Sequence, residues 1–415
     1  MDGKNSLYGI NKNDNTSRIM FSVICLLVVL IVALCIYLFA FKLNGGNTGG
    51  DKSEPTVSNS ESSEESRDVT EEISDISDED SVIPVDNSED VSEDNSQETS
   101  ETSETSTDEI TEHGWVINHL GYTYLYYGMG LEQFTYSTNT LEKYVASVNQ
   151  LSTLKGNANF YHLLIPTRCE FIEFSQEIKK EFYIANQRQF MTKVFDTTDK
   201  DIKNIDVYDV FKKRYNDGDY IYFNTDPNYT HLAAYTAYVE FCKSAGITPI
   251  SDTFYSITSV PGNFYGKFYT ATGAKMLYDN SDTILYYDID VDYKSSISIY
   301  KSQGVIKKDG VVFFDVPSYG YYCFLSDEAA KIEITTKVNS GKSILVIGDS
   351  SASPFVTFLV PHYDKITFIN STLASDSILD LLTSGQYKDI LVINYNTTAS
   401  RTIYDNLNKL AGVAN

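Results

Sequence analysis

Lys342-Ser-Ile-Leu-Val-Ile-Gly-Asp-Ser350 is the stretch of sequence that decides the fold. Residues 344–347 form a continuous aliphatic run between polar residues, which predicts a buried strand. The Gly-Asp-Ser turn then places the Ser350 hydroxyl beyond the carboxyl end of that strand, where α/β folds bind their ligands. Ser350 is therefore a candidate nucleophile if a base reaches it, although a serine in this position is also a common helix cap.

Strand and helix patterns alternate along the chain on both sides of this stretch. Short apolar runs predict strands at residues 121–128, 159–167, 204–209, 342–350, 365–370 and 389–394. Helical patterns are found at residues 138–154, 174–195, 229–245 and 375–383, the third of them closed by Gly246. Such alternation indicates βαβ units, and therefore an α/β domain with a parallel sheet.

Residues 251–340 interrupt the alternation. They are rich in Tyr, Ser, Asp and Gly, and their apolar residues occur in short alternating runs. This composition predicts a β-rich insertion lying over the sheet. Such an insertion would form either part of a substrate cleft or a structural cap, because insertions need not carry function.

The N-terminal part of the chain predicts a membrane anchor. Ile19 to Phe41 is an uncharged apolar run of 23 residues, long enough to cross a bilayer at about 1.5 Å per residue. No small-residue cleavage site follows the run, which favours a retained anchor over a cleaved signal peptide. Basic residues in segment 1–18 precede the run and acidic residues follow it. The positive-inside rule therefore predicts a cytoplasmic N-terminus, with the bulk of the chain outside.

Residues 42–113 have the composition of a disordered linker. Between Asp51 and Glu112 there are 23 acidic residues against Lys52 and Arg67, so most of the net charge of −25 lies here. A segment so poor in apolar residues cannot form a core and extends through self-repulsion. We expect it to hold a folded domain, residues 114–415, away from the membrane. No basic patch is present, which argues against nucleic-acid binding.

The five cysteines predict neither a disulfide framework nor a metal site. Cys25 and Cys35 lie inside the predicted membrane span, and Cys169, Cys242 and Cys323 have scattered spacing. Cys242 falls on the apolar side of a predicted helix and is expected in the core. The sequence therefore predicts no cofactor and no metal.

A second informative stretch is Ile221-Tyr-Phe-Asn-Thr-Asp-Pro-Asn-Tyr-Thr-His-Leu-Ala-Ala-Tyr235. Taken locally, Asp226 is a good N-cap with Pro227 at the first helical position, which explains both residues without any chemistry. Taken as a pattern, the stretch resembles the DHHW family, whose members carry an Asp-His-His-Trp-Thr helix start.

Three further segments resemble the same family. Asp349-Ser-Ser-Ala-Ser-Pro-Phe355 and Phe358-Leu-Val-Pro-His-Tyr363 are similar to its second block, and Ile165-Pro-Thr167 to its N-terminal part. The resemblance covers about residues 121–394. It implies an SGNH-like, flavodoxin-like fold, similar in particular to the alginate O-acetyltransferases of the cell envelope.

The resemblance also implies a serine nucleophile, a histidine base and an orienting aspartate, the last two as an Asp-x-His pair before the serine. Ser350 matches the nucleophile and Asp226 the aspartate, but the histidine position is Asn228 and the tryptophan position is Tyr229. An asparagine amide is no proton acceptor near neutral pH. Asn228 therefore cannot act as a general base.

Another histidine is a candidate for the missing base. His231 follows Asn228 by three residues on the same predicted helix face, so its imidazole would reach Ser350 only with a shifted geometry. His362 belongs to the turn of the family pattern, and His162 falls inside a predicted strand. We expect both of these to be structural.

Three functions remain open at this point. The resemblance implies O-acyl transfer to, or removal from, an envelope polysaccharide. The asparagine at position 228 equally favours a degenerate domain that binds the polysaccharide without turnover. A scaffold for a membrane O-acyltransferase partner would fit the predicted anchor and linker.

Overall fold

A computed structural model describes residues 112–118, 121–301, 304–310, 320–321, 323–325 and 329–413. The predicted membrane span at residues 19–41 and nearly all of the predicted linker lie outside these ranges. Within them, no helix combines the length and the hydrophobicity that crossing a membrane requires. The anchor therefore stays a prediction.

The strands are, in chain order, β1 (His113–Asn118), β2 (Gly121–Tyr126), β3 (Met129–Leu131), β4 (Asn159–Ile165), β5 (Ile202–Ile205), β6 (Ser256–Ser259), β7 (Leu285–Asp288), β8 (Tyr293–Lys301), β9 (Gly304–Gly310), β10 (Lys331–Thr336), β11 (Ser343–Gly348), β12 (Lys365–Asn370) and β13 (Asp389–Tyr395). The α-helices are α1 (Thr138–Thr153), α2 (Gln176–Glu181), α3 (Gln187–Thr197), α4 (Tyr208–Asn216), α5 (His231–Ala245), α6 (Lys267–Thr272), α7 (Lys275–Asp279), α8 (Ala352–Thr357), α9 (Leu379–Thr383), α10 (Asn396–Ala399) and α11 (Ile403–Leu410).

The central feature is an eight-stranded sheet in the order β5-β4-β13-β11-β12-β10-β8-β9. The first five of these strands run parallel to one another. In β4, β11 and β13 nearly every residue is buried. Because neighbouring residues of a strand point to opposite faces, continuous burial means that both faces of the sheet are covered. The prediction of an α/β fold with a parallel sheet is confirmed.

The prediction for residues 251–340 is right only in part. The segment is rich in strands, but β8, β9 and β10 do not lie over the sheet. They extend it as antiparallel strands beyond β12. The buried residues of β10 alternate with partly exposed ones, which suits an antiparallel strand with one face less covered than the other. The remaining pair, β6 and β7, forms a separate small antiparallel sheet.

Three element boundaries also need correction. The helix predicted at residues 174–195 is divided into α2 and α3, because Ser175 and Asn186 each cap a new helix with a side-chain oxygen. The strand predicted at 204–209 is β5, which lies earlier, and Tyr208 already begins α4. The helix predicted at 375–383 forms only as the short α9.

His162 and His362 are structural, as predicted. His162 lies in β4, fully buried, with its Nε2 atom 2.9 Å from the Tyr144 hydroxyl and its Nδ1 atom 2.9 Å from Asn204 Oδ1. His362 Nε2 lies 2.6 Å from the Tyr238 hydroxyl. Burial lowers the pKa of each ring to about 4, so both are neutral at physiological pH.

Candidate functional site

Ser350 lies just beyond the carboxyl end of β11, between the ends of β12 and β13. Gly348 ends that strand, and a Cβ atom there would lie 2.6 Å from a carbonyl oxygen of β13. The buried Asp349 accepts hydrogen bonds from Ser351 N at 2.9 Å, Ser351 Oγ at 2.6 Å and Tyr395 N at 2.9 Å. These contacts fix the turn against β13 and present the Ser350 hydroxyl at the carboxyl edge of the parallel sheet.

Ser350 does not cap the helix that follows it. The N-cap position of α8 belongs to Ser351, whose hydroxyl is bound to Asp349 and not to the helix backbone. Ser350 Oγ instead donates a hydrogen bond to Asn228 Oδ1 at 3.0 Å. Its hydroxyl therefore points towards the second sequence motif.

Asp226, Asn228 and Ser350 form one row of hydrogen-bonded side chains. Asn228 Nδ2 donates to Asp226 Oδ1 at 2.6 Å, and Asn228 N donates to the same oxygen at 3.0 Å. An ionised carboxylate only accepts, so it orients the amide nitrogen towards itself and leaves the amide oxygen for Ser350. This Asp226–Asn228–Ser350 row has the order of an Asp-His-Ser triad, with an amide in place of the imidazole.

Asp226 does not cap helix α5, contrary to the local interpretation of the Asp-Pro pair. The helix begins at His231, later than the predicted start at Tyr229, because Tyr222 and Tyr229 pair in an isolated β-bridge and the loop between them folds back. The carboxylate binds Asn228 through Oδ1 and accepts from Lys267 N at 2.9 Å through Oδ2.

The structure does not bring His231 to Ser350. Its Nε2 atom lies 2.8 Å from Thr357 Oγ1 and 3.2 Å from Pro354 O, and its Nδ1 atom accepts from Tyr287 N at 2.9 Å. The ring is completely buried, and burial lowers its pKa to about 3. The first turn of α5 directs this ring towards α8 and β7. The geometry does not support the prediction that His231 replaces the missing base.

The surroundings of the row are apolar and aromatic. Asp226 is only 3% exposed, and burial raises its pKa even though several hydrogen bonds to its carboxylate act in the opposite direction. Tyr229 donates its backbone N–H to the Tyr395 hydroxyl at 3.0 Å and its own hydroxyl to Ser351 O at 2.5 Å. The row is therefore largely shielded from water, with aromatic side chains packed around it.

Several residues of the site carried no signal in the sequence. The hydroxyl of Tyr321, from the 251–340 segment, donates to Ser350 O at 3.2 Å. Gly266 lies against Asp226, where an added Cβ would be 2.3 Å from the Asp226 Cβ. The insertion thus contributes directly to the site. Across the part of the chain that the structure describes, no group of three or more His, Cys, Asp or Glu side chains is placed to hold a metal ion.

The fold is a mixed α/β fold of the SGNH-like kind, and the Asp-x-Asn…Ser arrangement lies at the carboxyl edge of its parallel sheet. The family model described as "DHHW protein" matches residues 50–369, most of the chain, and the protein belongs to the DHHW family. No curated protein matches the sequence.

Solved structures share the fold at low sequence identity. A DHHW family protein from Eubacterium siraeum DSM 15702 has a TM-score of 0.61 and 20% identity, covering 73% of this chain and all of that one. PatB1 of Bacillus cereus, solved with a sulfonyl adduct, has a TM-score of 0.56 and 16% identity, covering 71% and 98%. The O-acetyltransferase domain of Pseudomonas putida AlgJ, with a TM-score of 0.40 and 8% identity over 72% and 99%, is too distant to support an argument.

Proposed function

We propose that this protein acts in the O-acylation or deacylation of a cell-envelope polysaccharide, through a serine site that has lost its general base. The observation that carries the proposal is the Asp226–Asn228–Ser350 row, in which Ser350 Oγ donates to Asn228 Oδ1 at 3.0 Å. The resemblance of the DHHW family to envelope O-acetyltransferases supports the class of substrate. The predicted anchor and acidic linker support a location outside the membrane, with the N-terminus in the cytoplasm.

The amide of Asn228 decides how much chemistry the site performs. In an active triad the imidazole takes the serine proton while the serine oxygen attacks the acyl carbonyl. The amide oxygen accepts a hydrogen bond from Ser350 but does not take up its proton near neutral pH. Ser350 therefore stays a neutral hydroxyl. The site keeps an oriented serine, and we expect any acyl chemistry that it performs to be slow.

A second candidate function is that of a scaffold for a membrane O-acyltransferase, or of a polysaccharide-binding protein with no chemistry. It is favoured by the completeness of the row, because each polar group of the Asn228 side chain already has a partner inside the protein. In this function the row only stabilises the fold at the sheet edge, and the ligand or partner binds elsewhere on the domain.

The two functions are distinguished by hydrolysis of an activated acetyl ester, such as 4-nitrophenyl acetate, by the purified full-length protein. We expect slow hydrolysis by the wild type and a rise of roughly 10²-fold or more in Asn228→His, the range that general base catalysis supplies. Ser350→Ala in the same background should abolish the gain.

His231→Ala is the control, and it should leave the rate unchanged. If the wild type already hydrolyses the ester quickly and His231→Ala abolishes this activity, the site has a general base, and that base is His231. If Asn228→His folds but gains no activity, the scaffold function is the better explanation.

An arylsulfonyl fluoride gives a second readout, because PatB1 has been solved with a sulfonyl adduct. Attack by the serine oxygen on sulfur forms a sulfonate ester and releases fluoride and the serine proton. Mass spectrometry should show slow labelling of the wild type and faster labelling of Asn228→His. Ser350→Ala should not be labelled at this position; equal labelling of that variant would show that Ser350 is not the reactive group.

A further inference from the structure

A buried carboxylate outside the row, Asp282, holds the loop that carries Asp226 and Asn228. Asp282 is 2% exposed and comes from the 251–340 segment, to which the sequence assigned no definite role. We infer that Asp282 is a positioning residue, which sets the direction in which the loop presents Asp226 to position 228. The inference rests on the proposed function and deepens it, because it concerns the same site.

Both oxygens of Asp282 bind this loop. Oδ1 accepts hydrogen bonds from Asn224 N at 2.7 Å and from the Tyr220 hydroxyl. Oδ2 accepts from Thr225 N at 2.7 Å and from Thr225 Oγ1 at 2.5 Å. Hydrogen bonds to an ionised acceptor are short and strong. Since Thr225 immediately precedes Asp226, this set of bonds ends directly beside the carboxylate of the row.

Arg168 binds the same loop from the carboxyl end of β4. Its Nη1 atom donates to Asn224 Oδ1 at 2.9 Å, and its Nη2 atom donates to Tyr222 O. Among the described side chains, no carboxylate lies within ion-pair distance of the guanidinium, although Asp282 acts on it electrostatically. A negative and a positive side chain thus bind the loop together, one from the insertion and one from the sheet.

The insertion also binds Asp226 itself. The backbones of Phe264 and Asp282 form an isolated bridge, with N···O distances of 2.8 and 3.0 Å. A few residues after Phe264, Lys267 N donates to Asp226 Oδ2 at 2.9 Å. Asp282 therefore links, through hydrogen bonds, the segment that binds the Asp226 carboxylate to the loop that carries Asp226.

A residue that only stabilised the loop would change the melting temperature, and Asp282 would change the imidazole pKa further only through the loss of its own charge. A positioning residue also changes the electrostatic environment that Asp226 creates at position 228. The imidazole introduced by Asn228→His reports this environment, because a neighbouring carboxylate favours the protonated ring and raises its pKa.

The experiment is an NMR titration of that imidazole in the full-length protein. Asp282→Asn replaces one acceptor oxygen by an NH₂ group that faces two donors, so the loop should loosen. We expect the imidazole pKa in Asn228→His to fall by about one unit when Asp282→Asn is added, the lower end of the effect of an opposite charge at close range. Asp226→Asn, added to Asn228→His, removes the neighbouring charge itself and so measures the largest shift that Asp226 can cause in the imidazole pKa.

Asp389→Asn is the matched control. Asp389 is also buried, accepts from the Tyr363 hydroxyl at 2.8 Å and from Asn159 Nδ2 at 2.9 Å, and lies at the opposite end of β13. It should lower the melting temperature without moving the imidazole pKa. If Asp282→Asn leaves the pKa unchanged in folded protein, or moves it no more than Asp389→Asn does, the inference is overturned.

Tyr220→Phe leaves the Asp282 carboxylate in place, so a shift of the imidazole pKa in this variant reports the loop and not a lost charge. It also keeps the inference testable if Asp282→Asn does not fold. Tyr220 is 39% exposed and supplies only one of the donors to Asp282, so its hydroxyl can be removed at little risk to the fold. We expect a smaller shift of the imidazole pKa in the same direction. An unchanged pKa in Tyr220→Phe would then count against the positioning role.

Failure of this inference and failure of the proposed function have different signatures. A pKa that responds to Asp282→Asn, in an Asn228→His protein that hydrolyses no ester, contradicts the acyl chemistry and supports the positioning role. The opposite result is that Asn228→His gains hydrolysis, and that both this gain and the imidazole pKa stay unchanged when Asp282→Asn is added. That result contradicts only the positioning role.

Discussion

Replacing Gly266 with alanine should disturb the site through a steric clash alone. Gly266 has an ordinary backbone angle, φ −79°, which an alanine adopts without strain. Its added Cβ, however, would lie 2.3 Å from the Cβ of Asp226 and 2.6 Å from Thr225 O. Carbon atoms in contact are normally about 3.5 Å apart, so the two segments must separate by about 1 Å.

The magnitude follows from what this separation breaks. Overpacking of this kind costs about 1–3 kcal/mol. The hydrogen bonds that cross the gap, Lys267 N to Asp226 Oδ2 at 2.9 Å and Gly266 N to Thr225 Oγ1 at 2.8 Å, would lengthen beyond useful range. Each contributes about 1 kcal/mol, and the bond to the carboxylate somewhat more. Together these contributions predict a loss of about 3–5 kcal/mol in the free energy of unfolding, within the limits of additivity.

Urea unfolding measures this loss, with Gly273→Ala as the control. Gly273 has φ +65° and no atom within 4 Å of an added Cβ, so its replacement costs only conformational energy, about 1 kcal/mol. In the Asn228→His background, Gly266→Ala should also reduce ester hydrolysis, whereas Gly273→Ala should not. If Gly266→Ala is no less stable than Gly273→Ala and keeps the full rate, the close approach does not hold Asp226 and the reasoning is refuted.

Three more predictions concern pH, the far end of the sheet and topology. Burial keeps three histidine rings neutral, with pKa values lowered to about 4, 4 and 3 in His162, His362 and His231. In the unfolded chain these rings protonate near pH 6.5. Their contribution to the free energy of unfolding is therefore complete above that pH and is lost as the pH falls towards 4. Equal urea midpoints at pH 7 and pH 5 would contradict this prediction. Tyr363→Phe removes the 2.8 Å hydrogen bond to buried Asp389 and should lower the free energy of unfolding by about 1–2 kcal/mol. When combined with Asn228→His, it should not change the rate of ester hydrolysis. A changed rate would show coupling between the two ends of the sheet. Protease treatment of intact cells should release the folded domain by cutting within residues 42–113, and a protected domain would contradict the predicted topology.

The sheet could be predicted from the sequence because its signal is local. Continuous apolar runs at β4, β11, β12 and β13 need no knowledge of distant residues to be recognised as buried strands. The antiparallel strands β8 and β10 alternate instead, and the same alternation suits strands that extend the sheet or strands of a separate layer. Local pattern does not distinguish these two placements, and for this reason the position of the insertion was predicted wrongly in part.

The site was predictable only where a motif covered it. The contact between Ser350 and Asn228 spans 122 residues of sequence, and it was anticipated from the family pattern, not from local physics. The Asp-Pro pair at 226–227 gave a false helix start, because a generic cap signal does not reveal that Lys267 N, 41 residues away, takes the carboxylate. Asp282 binds its loop across 57 and 58 residues and carries no motif at all.

The direction of the hydrogen bond between Ser350 and Asn228 limits what a ligand meets at this serine. The amide oxygen of Asn228 only accepts, so the hydroxyl hydrogen of Ser350 points inward, and outward its oxygen presents lone pairs alone. An ester carbonyl, which also only accepts, gains no hydrogen bond from such an oxygen. An unmodified sugar hydroxyl, which donates, does. In this arrangement the Ser350 oxygen is a hydrogen-bond acceptor, available to a donor such as a bare hydroxyl and not to the carbonyl of an ester.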